Sequence, residues 1–148
     1  MRALFSTPDI APTLIDAAGL PVPGEMEGRS LMPVVRDARA EWRDDLLFQI
    51  SETEIGRALR THRRKYGVTA AYDHAAPAAA YREACLYDLD ADPWEMVNLV
   101  GMEPFDAVVA GLRARLHGWI ARVADGATPE IVPAPRQVAA SSGSTSGC

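Results

Sequence analysis

The chain has 148 residues, 48% hydrophobic and 24% charged, which describes one globular domain and excludes wholesale disorder. Its formal net charge of −5, from 15 basic and 20 acidic residues, is the wrong sign for a general nucleic-acid or anionic-membrane binder. Two cysteines, Cys85 and Cys148, make neither a disulfide framework nor a zinc site.

The first residues, Met1 to Pro8, lack the apolar segment of a signal peptide. Without one the chain reads as cytoplasmic as written, its localisation being otherwise unknown, and no run approaches the roughly 18 apolar residues of a membrane span, so no membrane partner is expected. A helix is expected from Ile10 to Ala18, capped by Asp9 and stopped by Gly19. Pro12 falls in its first turn, where a missing N–H loses no intrahelical bond. After the loop Leu20-Pro21-Val22-Pro23-Gly24, Ser30 is placed to cap a short turn through Val35.

The middle of the chain reads as strands. Leu46–Ile50 is a short apolar run, and Ile55–Thr61 alternates, with Ile55, Arg57, Leu59 and Thr61 on one face and Gly56, Ala58 and Arg60 on the other. Lys65–Thr69 pairs back on it, which makes His62-Arg63-Arg64 a hairpin tip. Ala84–Leu89 is a further strand, preceded by an Ala-rich excursion from Ala70 to Arg82. A helix from Pro104 to Ala124 carries Phe105, Val108, Val109, Leu112, Leu116, Trp119, Ile120 and Val123 on one stripe, the pattern of a core-facing helix. From Ala127 the composition turns to Ala, Pro, Ser, Gly and Thr, and residues 127–148 read as a flexible tail. There is no internal repeat.

Autonomous hydrolytic chemistry is not visible. His62, His74 and His117 fall on a hairpin tip, a loop and a helix, with no spacing that brings two to one ion. Asp44 and Asp45 point to opposite faces of a strand and cannot act as one acid/base pair. No Gly-rich phosphate loop occurs between a strand and a helix, and Cys85 alternates like a small buried hydrophobe. The basic run Arg60-Thr61-His62-Arg63-Arg64-Lys65 admits two readings, an anion patch or a solvated hairpin turn; the acidic chain and the lack of interleaved aromatics favour the turn.

Three stretches together resemble the sulfatases of the alkaline-phosphatase superfamily. The first, Asp9-Ile10-Ala11-Pro12-Thr13-Leu14-Ile15-Asp16-Ala17-Ala18-Gly19 continuing to Gly28-Arg29-Ser30-Leu31-Met32-Pro33, is similar to the family's "D-x-A-P-T-L-L-D-x-A-G" and "G-x-S-L-x-P" patterns. The second, Arg57-Ala58-Leu59-Arg60-Thr61 through Lys65-Tyr66, resembles "R-A-x-R-T-x-x-x-K-Y". The third, Leu86-Tyr87-Asp88-Leu89 through Asp92-Pro93-Trp94-Glu95 to Asn98-Leu99, matches "L-Y-D-L-x-x-D-P-x-E-x-x-N-L". That last motif has a physical reading too: Asp92 caps a short helix with Pro93 at its first position, Glu95 has capping-box spacing, and Asn98 ties down the exit.

The resemblance covers about residues 4–124 and implies the C-terminal portion of a sulfatase, an α/β or α+β arrangement. Residues 1–40 would end the main α/β domain, and 41–126 would form a small antiparallel sheet with a packed helix. Sulfatases cleave sulfate esters with a formylglycine made in a "C/S-x-P-x-R" motif beside a divalent metal, usually calcium. Those residues lie upstream of the matched region, so no catalytic residue and no cofactor is expected in this chain. Ser6-Thr7-Pro8-Asp9-Ile10 has Ile10 where the arginine must stand. Gln49, Glu52, Arg57 and Arg60 are the polar candidates for the rim of a substrate cleft, with sheet-surface salt bridging as the alternative for each. The implied partners are the missing N-terminal sulfatase domain, in cis or in trans, and a sulfated small molecule or glycan in the complete enzyme. Unburied apolar surface near Ala3-Leu4-Phe5 and Ile10–Leu14 is expected, with self-association as its consequence. Two other readings stay open: part of a phosphonate or phosphate ester hydrolase of the same superfamily, or a non-catalytic module that binds an anion or dimerises.

Overall fold

A computed structural model of the chain describes residues 3–51, 54–71, 80–123 and 129–137. Strands β1 (Asp45–Ser51), β2 (Glu54–Thr61), β3 (Arg64–Ala71) and β4 (Ala80–Asp88) form an antiparallel meander. A fifth strand, β5 (Glu130–Val132), joins the far edge of β4 in parallel, so the sheet is mixed, in the order β1-β2-β3-β4-β5. The hairpin between β2 and β3 turns at His62 and Arg63, as the alternation of charges and apolar residues predicts.

One face of the sheet is covered by α3 (Asp106–Val123), which follows a 3₁₀ turn at Glu103–Phe105. Its stripe Val109, Leu112, Leu116 and Ile120 meets Leu59, Tyr66, Val68 and Leu86 in one buried cluster. Register explains the choice of strand residues: Leu59 stands opposite Tyr66, and Tyr66 opposite Leu86, so all three project to the same side. Between Gly67 and Val68 the register shifts, and the extra β4 residue brings Glu83 in beside Leu86 on the helix face.

The N-terminal region is a small helical unit beside the sheet. A 3₁₀ turn at Thr7–Asp9 runs into α1 (Ile10–Ala17), which ends on Gly19 at φ +74° with its N–H bonded to the Asp16 carbonyl. Helix α2 (Met32–Arg36) follows, and the Ser30 hydroxyl accepts from Met32 N–H at 3.1 Å, as a cap should. Gly28 lies so close to the Pro8 carbonyl that any Cβ would collide with it, which accounts for glycine there.

Three expectations differ from the structure. Asp9 does not cap α1; its carboxylate is fully buried and turns away from the helix to bind Ser6, Arg29 and Arg43. No helix follows Asp92: the segment turns, Glu95 takes a left-handed backbone at φ 57°, and its side chain pairs with Lys65 instead of closing a capping box. The stretch from Ala127 is not uniformly a loose tail, because β5 pairs with β4 and Ile131 enters the core. Such a segment needs no core of its own when it adds apolar side chains to an existing one. Ala134 N–H donates to Glu83 at 3.0 Å and Gln137 N–H to the Gly101 carbonyl at 3.1 Å, fastening it further. Residues 138–148, with Cys148, and most of the excursion before β4, with His74, lie outside the described residues.

Candidate functional site

Two of the four rim candidates stand together and a third lies apart from them. Gln49 on β1 stands directly opposite Arg57 on β2, and both lie on the α3 side of the sheet. Arg57 keeps one guanidinium nitrogen, Nη1, buried without a hydrogen-bond partner among the described residues. Arg60, an odd number of residues further along β2, projects from the opposite face. Glu52 lies outside the described residues.

Arg60 borders a cleft of about 510 Å³ between the N-terminal segment and the second face of the sheet. Leu4, Phe5, Leu46 and Phe48 supply its apolar walls, and His62 and Asp90 sit at its polar end. The segment that closes one side is held by the Trp42 indole, which donates to the Leu4 carbonyl at 2.6 Å. Trp42 is itself flanked by the guanidinium groups of Arg29 and Arg43, each 5.0 Å from the ring centroid.

The remaining cations of the basic run are neutralised by the chain itself. Arg63 donates to Asp88 through Nη2 at 2.9 Å, and Arg64 pairs with the same carboxylate. Hydrogen bonds from Arg63, outweighing burial, hold the Asp88 carboxyl far below the usual carboxylate range. With Lys65 bound to Glu95, the run behaves as a paired hairpin tip and not as a free anion patch.

Behind the sheet, Glu83 gathers Tyr66 Oη at 2.8 Å, Arg113 Nη2 at 2.6 Å and the Ala134 N–H at 3.0 Å. Burial and the carboxylate raise the Tyr66 phenol well above its ordinary value, so it stays a neutral donor. Burial likewise pushes the Cys85 thiol up, which removes it from consideration as a nucleophile. The Asp92 carboxyl is lowered by backbone N–H groups, first that of Val97, and so organises the turn without capping a helix. Asn98 does fix the exit as expected: its Oδ1 accepts from Leu86 and Val100 N–H, and its Nδ2 donates to the Ala84 carbonyl. Asn98→Ala removes all three bonds beside the β4 edge, and a loss of about 2 kcal/mol in urea unfolding is expected.

Among the described residues, no group of three or more His, Cys, Asp or Glu side chains stands together as a metal site. What the arrangement does chemically is present charge and shape. The residues that sequence reasoning missed are Glu83 and its partners, and the Asp9–Arg43 pair. A hint of Glu83 was available in the phase of the strand, had a bulge been allowed there.

Residues 1–122 match the family model described as "N-sulphoglucosamine sulphohydrolase, C-terminal". The Delta 4,5-hexuronate-2-O-sulfatase of Bacteroides thetaiotaomicron is 32% identical over 128 residues, covering 80% of this chain and 24% of that protein. Human arylsulfatase K is 29% identical over 130 residues, covering 79% of this chain and 22% of that protein. Among solved structures, BT4656 in complex with its substrate D-glucosamine-2-N,6-O-disulfate superimposes with a TM-score of 0.63 at 26% identity, over 82% of this chain and 25% of that one. The chain therefore spans about a quarter of the length of the relatives it matches. With the three motifs in their order, the meander with its packed helix, and a family match over most of its length, this chain belongs to the sulfatase family and corresponds to its C-terminal portion.

Proposed function

We propose that the chain serves as the C-terminal part of a sulfatase acting on sulfated sugars, hydrolytically silent by itself and complete only with the main sulfatase domain, in cis or in trans. One observation carries this reading: the chain matches sulfatases over 80% of its own length, yet its 148 residues contain no "C/S-x-P-x-R" motif. The sugar class is supported by the relatives, one named for a hexuronate sulfate and one solved with a disulfated glucosamine. In the complete enzyme the metal and formylglycine belong to the main domain. This part supplies a rigid support for the main domain.

The test has two parts. The purified chain, given a sulfated glucosamine or an aryl sulfate, is expected to release no sulfate above background; sustained turnover would sink the reading. Sequencing the DNA upstream of the Met1 codon, in all frames over some hundreds of codons, is expected to reveal the "C/S-x-P-x-R" motif with metal-binding aspartates. If nothing of that kind is encoded there, the cis arrangement fails; the trans arrangement is overturned if adding a separately produced main sulfatase domain yields neither a complex nor sulfate release.

A further inference from the structure

The two faces of the sheet are covered unequally. Helix α3 packs across one, whereas on the other the N-terminal segment lies over the Leu46 end of β1 and leaves the rest of that strand's apolar side chains exposed. On that side Phe48 and Ile50 are 43% and 62% exposed, and Phe5 on the wall of the cleft is 59% exposed. Large apolar side chains exposed in one contiguous region mark an interaction surface.

The polar groups of this region say what fits it. Arg60 lines the cleft with no ion-pair or hydrogen-bond partner among the described residues, although every other cation of its hairpin has a carboxylate. Asp90 lines the same cleft, its side chain 67% exposed and its nearest cation Arg63 at 3.9 Å. One patch thus carries a free cation, a loosely held anion and apolar walls between them. A two-fold contact requires that residue i meet residue j while j meets i, so a patch holding both signs is complementary to itself.

We propose that this face closes on a second copy of the chain, Arg60 of each protomer meeting Asp90 of the other across the paired Phe5 and Phe48 side chains. The inference rests on the reading above, in which this chain can stand apart from the main sulfatase domain. The chain without its main domain is then a symmetric dimer rather than a monomer or an open-ended aggregate, because a self-complementary contact is used up when two copies meet.

Size-exclusion chromatography with light scattering on the full chain tests this. At roughly 100 μM, where a micromolar pair is mostly formed, the expected mass is twice the 16.0 kDa of one protomer. Phe48→Asp is expected to give monomer. Arg60→Asp alone weakens the dimer by about tenfold or more, and Arg60→Asp combined with Asp90→Arg recovers it, which an effect of misfolding would not do. A monomeric parent chain overturns the proposal, as does a broad distribution of larger species, or a dimer indifferent to Phe48→Asp and Arg60→Asp. Failure here is separable from failure of the sulfatase reading: a monomeric chain whose upstream DNA encodes the missing motif loses only the dimer.

Discussion

Replacement of Asp9 by alanine is expected to destabilise the chain by about 3–5 kcal/mol, because it strands a largely buried arginine. Arg43 places Nη2 at 2.8 Å from Oδ1 and Nη1 at 3.0 Å from Oδ2, the two-pronged geometry that a guanidinium and a carboxylate share. Ser6 and Arg29 N–H groups bind the same carboxylate at 2.8 and 2.9 Å. With the Ser6 hydroxyl at 3.2 Å, five donors from three separate segments converge on a side chain with no exposed surface. Its removal releases the N-terminal segment, the loop before α2 and the approach to β1 together. Asp9→Asn keeps the volume but loses the charge, and is expected to cost somewhat less.

The pH dependence carries a definite sign. Burial by itself pushes the Asp9 carboxyl up, but the N–H groups of Arg29 and Ser6 and the Arg43 guanidinium outweigh it and leave it below its ordinary value. A carboxyl lowered on folding contributes stability that is complete above its unfolded value near ~4 and is lost as pH falls through the folded value. Urea titrations of parent and Asp9→Asn should therefore differ most near neutrality and converge in acid. A constant difference from pH 7 to the acid limit would mean that shape, and not charge, accounts for the loss.

Glu83→Ala is the second large effect, expected at about 3–5 kcal/mol by thermal or urea unfolding. The carboxylate is 3% exposed at its side chain and binds Arg113, Tyr66 and the backbone of the segment after β5. Without it, Arg113 and the Tyr66 hydroxyl are left near the core with no acceptor, and Ala134 loses its anchor. Glu83→Gln keeps one acceptor oxygen, enough for Ala134 N–H or the Tyr66 hydroxyl but not both, and should recover part of the loss. If the alanine variant proves as stable as the parent, the cluster is peripheral and the C-terminal segment is held by its other contacts.

Much of this architecture was legible before any coordinates. Period-two alternation placed Arg57 and Leu59 on one face and Arg60 on the other, and Leu59 is fully buried. The apolar stripe of α3 announced its buried side, with Val109, Leu112, Leu116 and Ile120 all in the core. What escaped were interactions that no local pattern encodes. Counting back from Leu86 by twos puts Glu83 outside; the bulge between Gly67 and Val68 reverses the phase, and a carboxylate enters the core. Asp9 has the spacing and chemistry of a cap, and only the arrival of Arg43, far along the chain, turns it into a buried anchor. The composition from Ala127 onward reads as a tail because Ala, Pro, Ser, Gly and Thr, with few large side chains, do not build a core alone. Here Ile131 needs only to join one. The rim candidates were chosen for polarity, and polarity does not say which face of a sheet a residue occupies or which element crosses it.

The parallel pairing of β5 also bears on the order in which the molecule assembles. The meander from β1 to β4 joins neighbours in sequence, so each hairpin can form as soon as both of its strands exist. Closing β5 onto β4 needs the intervening α3 to have been made first, because it lies between the two strands in the chain. During translation Glu83 therefore waits for Ala134, and the edge of β4 stands open until the segment after α3 has been made. The interval before that late closure is when a nascent chain of this fold has its greatest exposure to edge-to-edge pairing with its neighbours.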